Sequence, residues 1–126
     1  MHYKNFMELP VWQVGMTIVE LVYKMTEGLP KKEDYALTSQ IRRAALSITG
    51  NIAEGFGRGH KKDKINFYYY SRGSSMEVMN FIIAGRRLNY FTNEQMEIVT
   101  EKCNQIVFEL NKLIKVLNYS QPQPKP

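Results

Sequence analysis

A chain of 126 residues, 44% hydrophobic and 23% charged, has the size of one domain and can bury its own core without disulfide or metal staples. Its net charge of +5 favours an acidic partner only weakly, and its single Cys103 excludes an internal disulfide. No run of about 18 apolar residues is present to span a bilayer, and MHYKNFMELP has no apolar stretch of signal-peptide length, so a cytoplasmic protein without membrane association is expected.

The first helix is predicted from Leu9 to Glu27, with Pro10 in its opening turn, where a missing N–H costs little, and with Gly28 and Pro30 as the stop. After GLPKKEDY, a second helix runs from Ala36 to Phe56. Its apolar residues Leu37, Ile41, Ala44, Ala45, Ile48 and Ile52 recur at spacings of three and four, and Gly55, Gly57 and Gly59 end it. The loop GRGHKKD leads into a third helix, from Lys64 to Asn89. A fourth opens at Thr92, where TNEQ fits a capping box, and reaches Asn118. The tail YSQPQPKP alternates proline with polar residues and has little to bury, so residues 119–126 are expected to be disordered. Strict alternation flanked by hairpin turn residues is absent. The expected fold is all-α, an antiparallel up-down-up-down four-helix bundle over residues 1–118.

One apolar stripe accounts for the fourth helix, and Cys103 lies inside it as a small buried hydrophobe. The third helix differs. Phe67, Tyr70, Ser74, Val78, Phe81, Gly85 and Leu88 form one line, and Ile65, Tyr69, Met76, Met79 and Ile83 form another on nearly the opposite side. A bundle has one interior, so the second line needs another cover; a second copy of the chain is the simplest, and a homo-oligomer is expected. The run Tyr68, Tyr69, Tyr70 cannot make one stacking platform, because consecutive helix positions point about 100° apart.

On the second helix Gln40, Ser47, Asn51, Glu54 and Arg58 fall within about 60° of one another and border the apolar stripe. A partly desolvated row of this kind needs partners, and Arg43, Ser74 and Glu77 are the candidates. Together Gln40, Ser47, Asn51, Glu54, Ser74 and Glu77 read as a structural polar seam. Catalysis would use Glu54 and Glu77 as a carboxylate pair or as metal ligands. No glutamate has a histidine three residues later, as a di-iron bundle requires, and His2 and His60 are not held for acid/base work. GFGRG follows no strand and lacks the lysine of a P-loop. Neither catalytic residues nor a metal or cofactor is therefore expected. A small-molecule or metal site around Glu54 and Glu77 stays as a third reading. Arg58, Lys61, Lys62 and Lys64 lie in or beside a glycine-containing loop, with Arg42 and Arg43 on the helix that leads to it; these six are candidate phosphate contacts.

The segments LPVWQ, LTSQIRRAALSITGNIAEGFGR and GSSMEV, in that order, resemble the 23S rRNA intervening-sequence protein family of bacterial four-helix bundles, and more distantly the accessory variability determinant of diversity-generating retroelements. The resemblance implies a ring, typically a homopentamer, and places the family motif on Gln40, Arg42, Arg43, Ser47, Asn51, Glu54, Arg58, Gly73, Ser74 and Glu77. It implies no established activity. The function expected is that of a non-enzymatic module that binds RNA or a nucleic-acid-processing protein; the alternative is a protein interaction scaffold with no direct nucleic-acid contact.

Overall fold

A computed structural model describes residues 2–119, so the expected disorder of the tail beyond Tyr119 lies outside the described residues. Tyr119 itself is helical. A 3-10 turn, Phe6–Glu8, leads into α1 (Pro10–Thr26), with Pro10 where the helix needs no N–H donor. A second 3-10 turn, Lys31–Glu33, precedes α2 (Leu37–Gly57), and α3 (Lys61–Arg87) and α4 (Asn93–Tyr119) follow. Strands are absent among the described residues, and α1 packs on α2, α2 on α3, α3 on α4 and α4 back on α1.

The connections explain where the helices begin and end. Only three residues separate α2 from α3, because Lys61, Lys62 and Asp63 already form the first turn of α3, three residues before the predicted start. Nothing after Gly59 breaks a helix, and Asp63 complements the positive end of the helix dipole there. At its other end α3 stops at Arg87 and not at Asn89. Asn89 takes φ 67°, its N–H donates to the Arg86 carbonyl, and the Tyr90 N–H donates to the Gly85 carbonyl at 2.8 Å, which together make a Schellman end with asparagine in the left-handed position. The capping box before α4 forms in both directions: Thr92 N–H donates to Gln95 Oε1 at 2.9 Å, and Gln95 N–H to Thr92 Oγ1 at 3.0 Å.

Ile18, Val22, Ile41, Ile48, Ile52, Val78, Ile82, Val99, Ile106 and Leu110 fill the centre, all fully buried. Each such side chain contributes about 1.5 to 3 kcal/mol of transfer free energy. Small residues set the helix spacing. A Cβ on Gly15 would lie 2.8 Å from Thr49 Cγ2, so α1 and α2 touch there. Ser71 Oγ donates to the Ile48 carbonyl at 2.8 Å, pinning α3 against α2.

The third helix departs from its sequence reading. Its buried strip is Tyr68, Ser71, Ser74, Ser75, Val78, Ile82 and Gly85, which takes Ser74, Val78 and Gly85 from the first apolar line and extends past it to Tyr68, Ser71, Ser75 and Ile82, on the side towards the second. Phe67 of the first line lies against Arg58 at the end of α2, and Tyr69 and Met76 of the second border a groove with Val107 and Asn111 of α4. Phe67, Phe81, Ile65 and Met79 are half-buried, whereas Tyr69, Tyr70, Met76, Ile83 and Leu88 stay exposed.

Candidate nucleic-acid interface

The members of the polar row are half-buried or exposed, and Glu54 and Arg58 border a shallow depression along α2 with Gly50, Ala53 and Gly57. Asn51 Nδ2 donates to the Ser47 carbonyl at 2.9 Å, a bond within one turn of its own helix. Glu54 pairs with Arg58 at 2.8 Å, and their side chains are 50% and 44% exposed. This corrects the expected partnership: Arg43, Gln40 and Glu77 are exposed, only Ser74 is buried, and Glu54 reaches none of Arg43, Ser74 or Glu77. A glutamate four residues before an arginine on an exposed helix face has its partner within reach on its own helix. The α2–α3 contact is fixed instead by Ser71, which hydropathy does not distinguish from a surface serine. Glu54 lies past the middle of α2 and Glu77 past the middle of the antiparallel α3, which puts them in opposite halves of the bundle, and no three His, Cys, Asp or Glu side chains gather around a cation site among the described residues.

The six candidate phosphate contacts divide into different environments. Arg42 closes the end of α1: its Nε donates to Thr26 Oγ1 at 2.8 Å, and its guanidinium lies 4.5 Å from the Tyr23 ring centroid. Lys64 closes the end of α2, with Nζ donating to the carbonyls of Phe56 at 2.7 Å and Gly55 at 3.3 Å. Burial draws its ammonium below the usual lysine range, against the two carbonyls that favour the charged form. Arg58 stacks on Phe67 at 4.7 Å while it holds Glu54. Lys61 is half-buried; Lys62 and Arg43 are exposed. Arg43 and Arg58 are separated by about 22 Å of helix, so the six cations do not form one patch.

Antiparallel packing gathers other cations instead. A division at the middle of each helix, at Ile18, Ser47, Ser74 and Ile106, separates the described charges unequally. The half that holds the α2–α3 connection has Lys4, Arg58, Lys61, Lys62, Lys64, Arg72, Lys112 and Lys115 against Glu8, Glu54, Asp63 and Glu109. Basic and acidic residues are equal in number in the other half, where Arg42 and Arg43 lie. Arg72, Lys112 and Lys115 escaped the sequence reading because they are scattered along the chain; only the reversal of α4 against α3 brings them to one end. Four of the six exposed aromatics, Tyr69, Tyr70, Phe108 and Tyr119, share this basic half. Among the described residues, five of the seven exposed large aliphatics, Leu46, Met76, Ile83, Leu88 and Ile98, are in the neutral half.

The sequence pattern of a family described as 23S rRNA-intervening sequence protein matches residues 7–112. No curated protein matches the chain. Its fold is similar to the crystal structure of a protein with unknown function from the S23 ribosomal protein family of Bacteroides thetaiotaomicron VPI-5482, at 23% identity and a TM-score of 0.75, over 83% of this chain and 98% of that one. At that identity the likeness concerns the fold. Neither description names an enzymatic activity. Among the described residues, no helix is long and apolar enough to cross a membrane.

Proposed function

Since the chain belongs to the 23S rRNA-intervening sequence protein family, we propose that it is a non-enzymatic, oligomeric bundle of the cytoplasm that binds RNA through backbone phosphates at its basic half. The unequal charge distribution carries this reading: the described excess of cations sits in one half of the bundle, where Lys62 is exposed and which also holds Arg58 after α2, Arg72 on α3 and Lys115 on α4. The neutral half, with its exposed Leu46, Met76, Ile83, Leu88 and Ile98, supports contact between copies, and the family resemblance makes a homopentamer the form to test. A ring repeats the basic end around its axis, so several weak phosphate contacts act together.

Purification from native cells with and without nuclease, followed by gel shifts of the recovered RNA, tests the reading. Affinity falls steeply with salt and shows little base preference if phosphates are the contacts. Absence of both co-purifying RNA and a low-salt shift overturns it; a monomer in light scattering at micromolar concentration overturns the oligomer. A protein interaction scaffold is the second reading, favoured by a groove of about 480 Å³ between α1 and α4 lined by Leu21, Met25, Ile98 and Val99. Partner binding there would be insensitive to salt and lost in Ile98→Asp.

A further inference from the structure

Two shallow grooves run end to end between α3 and α4, of about 530 and 450 Å³, and share Tyr69, Arg72 and Asn111. Lys115 and Tyr119 border the outer groove, Met76 and Val107 the inner. From Val107 to Tyr119 the crevice follows about 18 Å of helix, room for a few nucleotides. Its central cation is held in place: the Arg72 guanidinium lies 4.6 Å from the Tyr69 ring centroid, and Nη1 donates to Asn111 Oδ1 at 2.7 Å. That bond uses one of five N–H donors, and no carboxylate pairs with Arg72 among the described residues. Glu109, the one acid on this half of α4, already lies 3.9 Å from Lys112. The crevice is therefore cationic, with rings along it that keep accessible surface: Arg72 covers one face of Tyr69, which is still 41% exposed, and Tyr119 is 80% exposed.

Phosphate contact alone does not separate single strands from duplexes, since both offer phosphates. Exposed rings do. A single strand can lay an unpaired base on an aromatic side chain or a guanidinium plane, whereas a duplex keeps its base faces stacked on each other. Resting on the nucleic-acid reading above, we infer that the α3–α4 crevice is a single-strand site, in which Arg72 and Lys115 take backbone phosphates and Tyr69 and Tyr119 stack bases. The protein then prefers unpaired RNA to duplex RNA, with little dependence on sequence because every base has a stacking face.

Fluorescence anisotropy of the full chain with a labelled mixed-sequence 12-nucleotide RNA, and with the duplex of the same strand, tests this. Tyr69→Leu and Tyr119→Leu each lower single-strand affinity by about ten-fold and leave duplex affinity unchanged, while melting curves confirm that both variants fold. Lys62→Gln lowers affinity for both probes by a similar factor. Ring variants that bind the single strand like the parent, or that lose both probes equally, overturn the single-strand site and leave phosphate binding standing. If sedimentation shows that they change the assembled mass, the crevice is a contact between copies, and the inference falls. An unmodified chain that binds neither probe at low salt overturns both the inference and the function on which it rests.

Discussion

Lys64→Met separates a structural lysine from a binding one. In the folded chain Nζ donates to Phe56 and Gly55 carbonyls and lies 5.5 Å from the Phe56 ring. A hydrogen bond from a charged group contributes about 1.5 to 3 kcal/mol, and a cation at a helix C-terminus adds about 0.3 to 1 kcal/mol. Desolvation, which lowers the Lys64 pKa, takes part of this back. The Gly55 carbonyl also keeps the Arg58 N–H at 3.2 Å, so only the Phe56 carbonyl loses its donor outright. Methionine preserves the length of the side chain and its packing. The net loss is about 1 to 2 kcal/mol, which for a chain of this size lowers Tm by about 4 to 8 °C. Lys62→Gln, at an exposed site, should leave Tm within about 2 °C of the parent while it weakens RNA binding. Thermal melts by circular dichroism and anisotropy on the same samples measure both quantities. If Lys64→Met melts like the parent and loses affinity as Lys62→Gln does, Lys64 is a phosphate contact and the capping argument is wrong.

Glu54→Ala should change stability by less than about 1 kcal/mol, because its ion pair with Arg58 is solvent-exposed and screened; urea unfolding that shows a loss of several kcal/mol would mean the carboxylate is buried in the assembled protein. Cys103 is fully buried, and burial pushes its thiol from 9.0 up to about 12. A thiol reagent at pH 8 should therefore leave the native chain unlabelled and label it once denatured. Because the folded pKa is the higher one, the stabilisation is complete below about pH 9 and is lost as pH rises towards about 12, so alkaline unfolding should ease in that window and do so less in Cys103→Ala. Two helical glycines should respond with opposite sign. A Cβ on Gly85 would come 2.4 Å from Phe91 Cε2, so Gly85→Ala costs about 1 to 3 kcal/mol as the ring shifts. A Cβ on Gly50 would meet no neighbouring side chain within 4 Å, so Gly50→Ala gains about 0.8 to 1 kcal/mol of helix propensity, read as a higher urea midpoint with an unchanged slope.

What the sequence determined by itself was local. Helix number followed from four periodic segments and their breakers, and the TNEQ box marked the start of α4 because a cap is made by residues three apart. The single stripe of α4 was legible for the same reason: its buried residues Val99, Cys103, Ile106, Leu110 and Ile114 are all apolar. The core strip of α3 was legible only in part: Ser74, Val78 and Gly85 lay on a predicted line, but its other central members, Ser71 and Ser75, are polar by composition, and Ser71 is satisfied by a carbonyl on another helix. Nor does a run of basic residues show which cations are occupied. Lys64 and Arg42 are drawn to the ends of α2 and α1 because the terminal carbonyls of α2 and a threonine hydroxyl lie there in the fold. The basic half depends on the same fact at longer range. Lys112 and Lys115 come to the same half of the bundle as Arg72 and the α2–α3 loop only because antiparallel packing sets the first half of α3 beside the second half of α4, as the Arg72–Asn111 bond shows, a proximity fixed by the buried core and invisible to the spacing of charges along the chain.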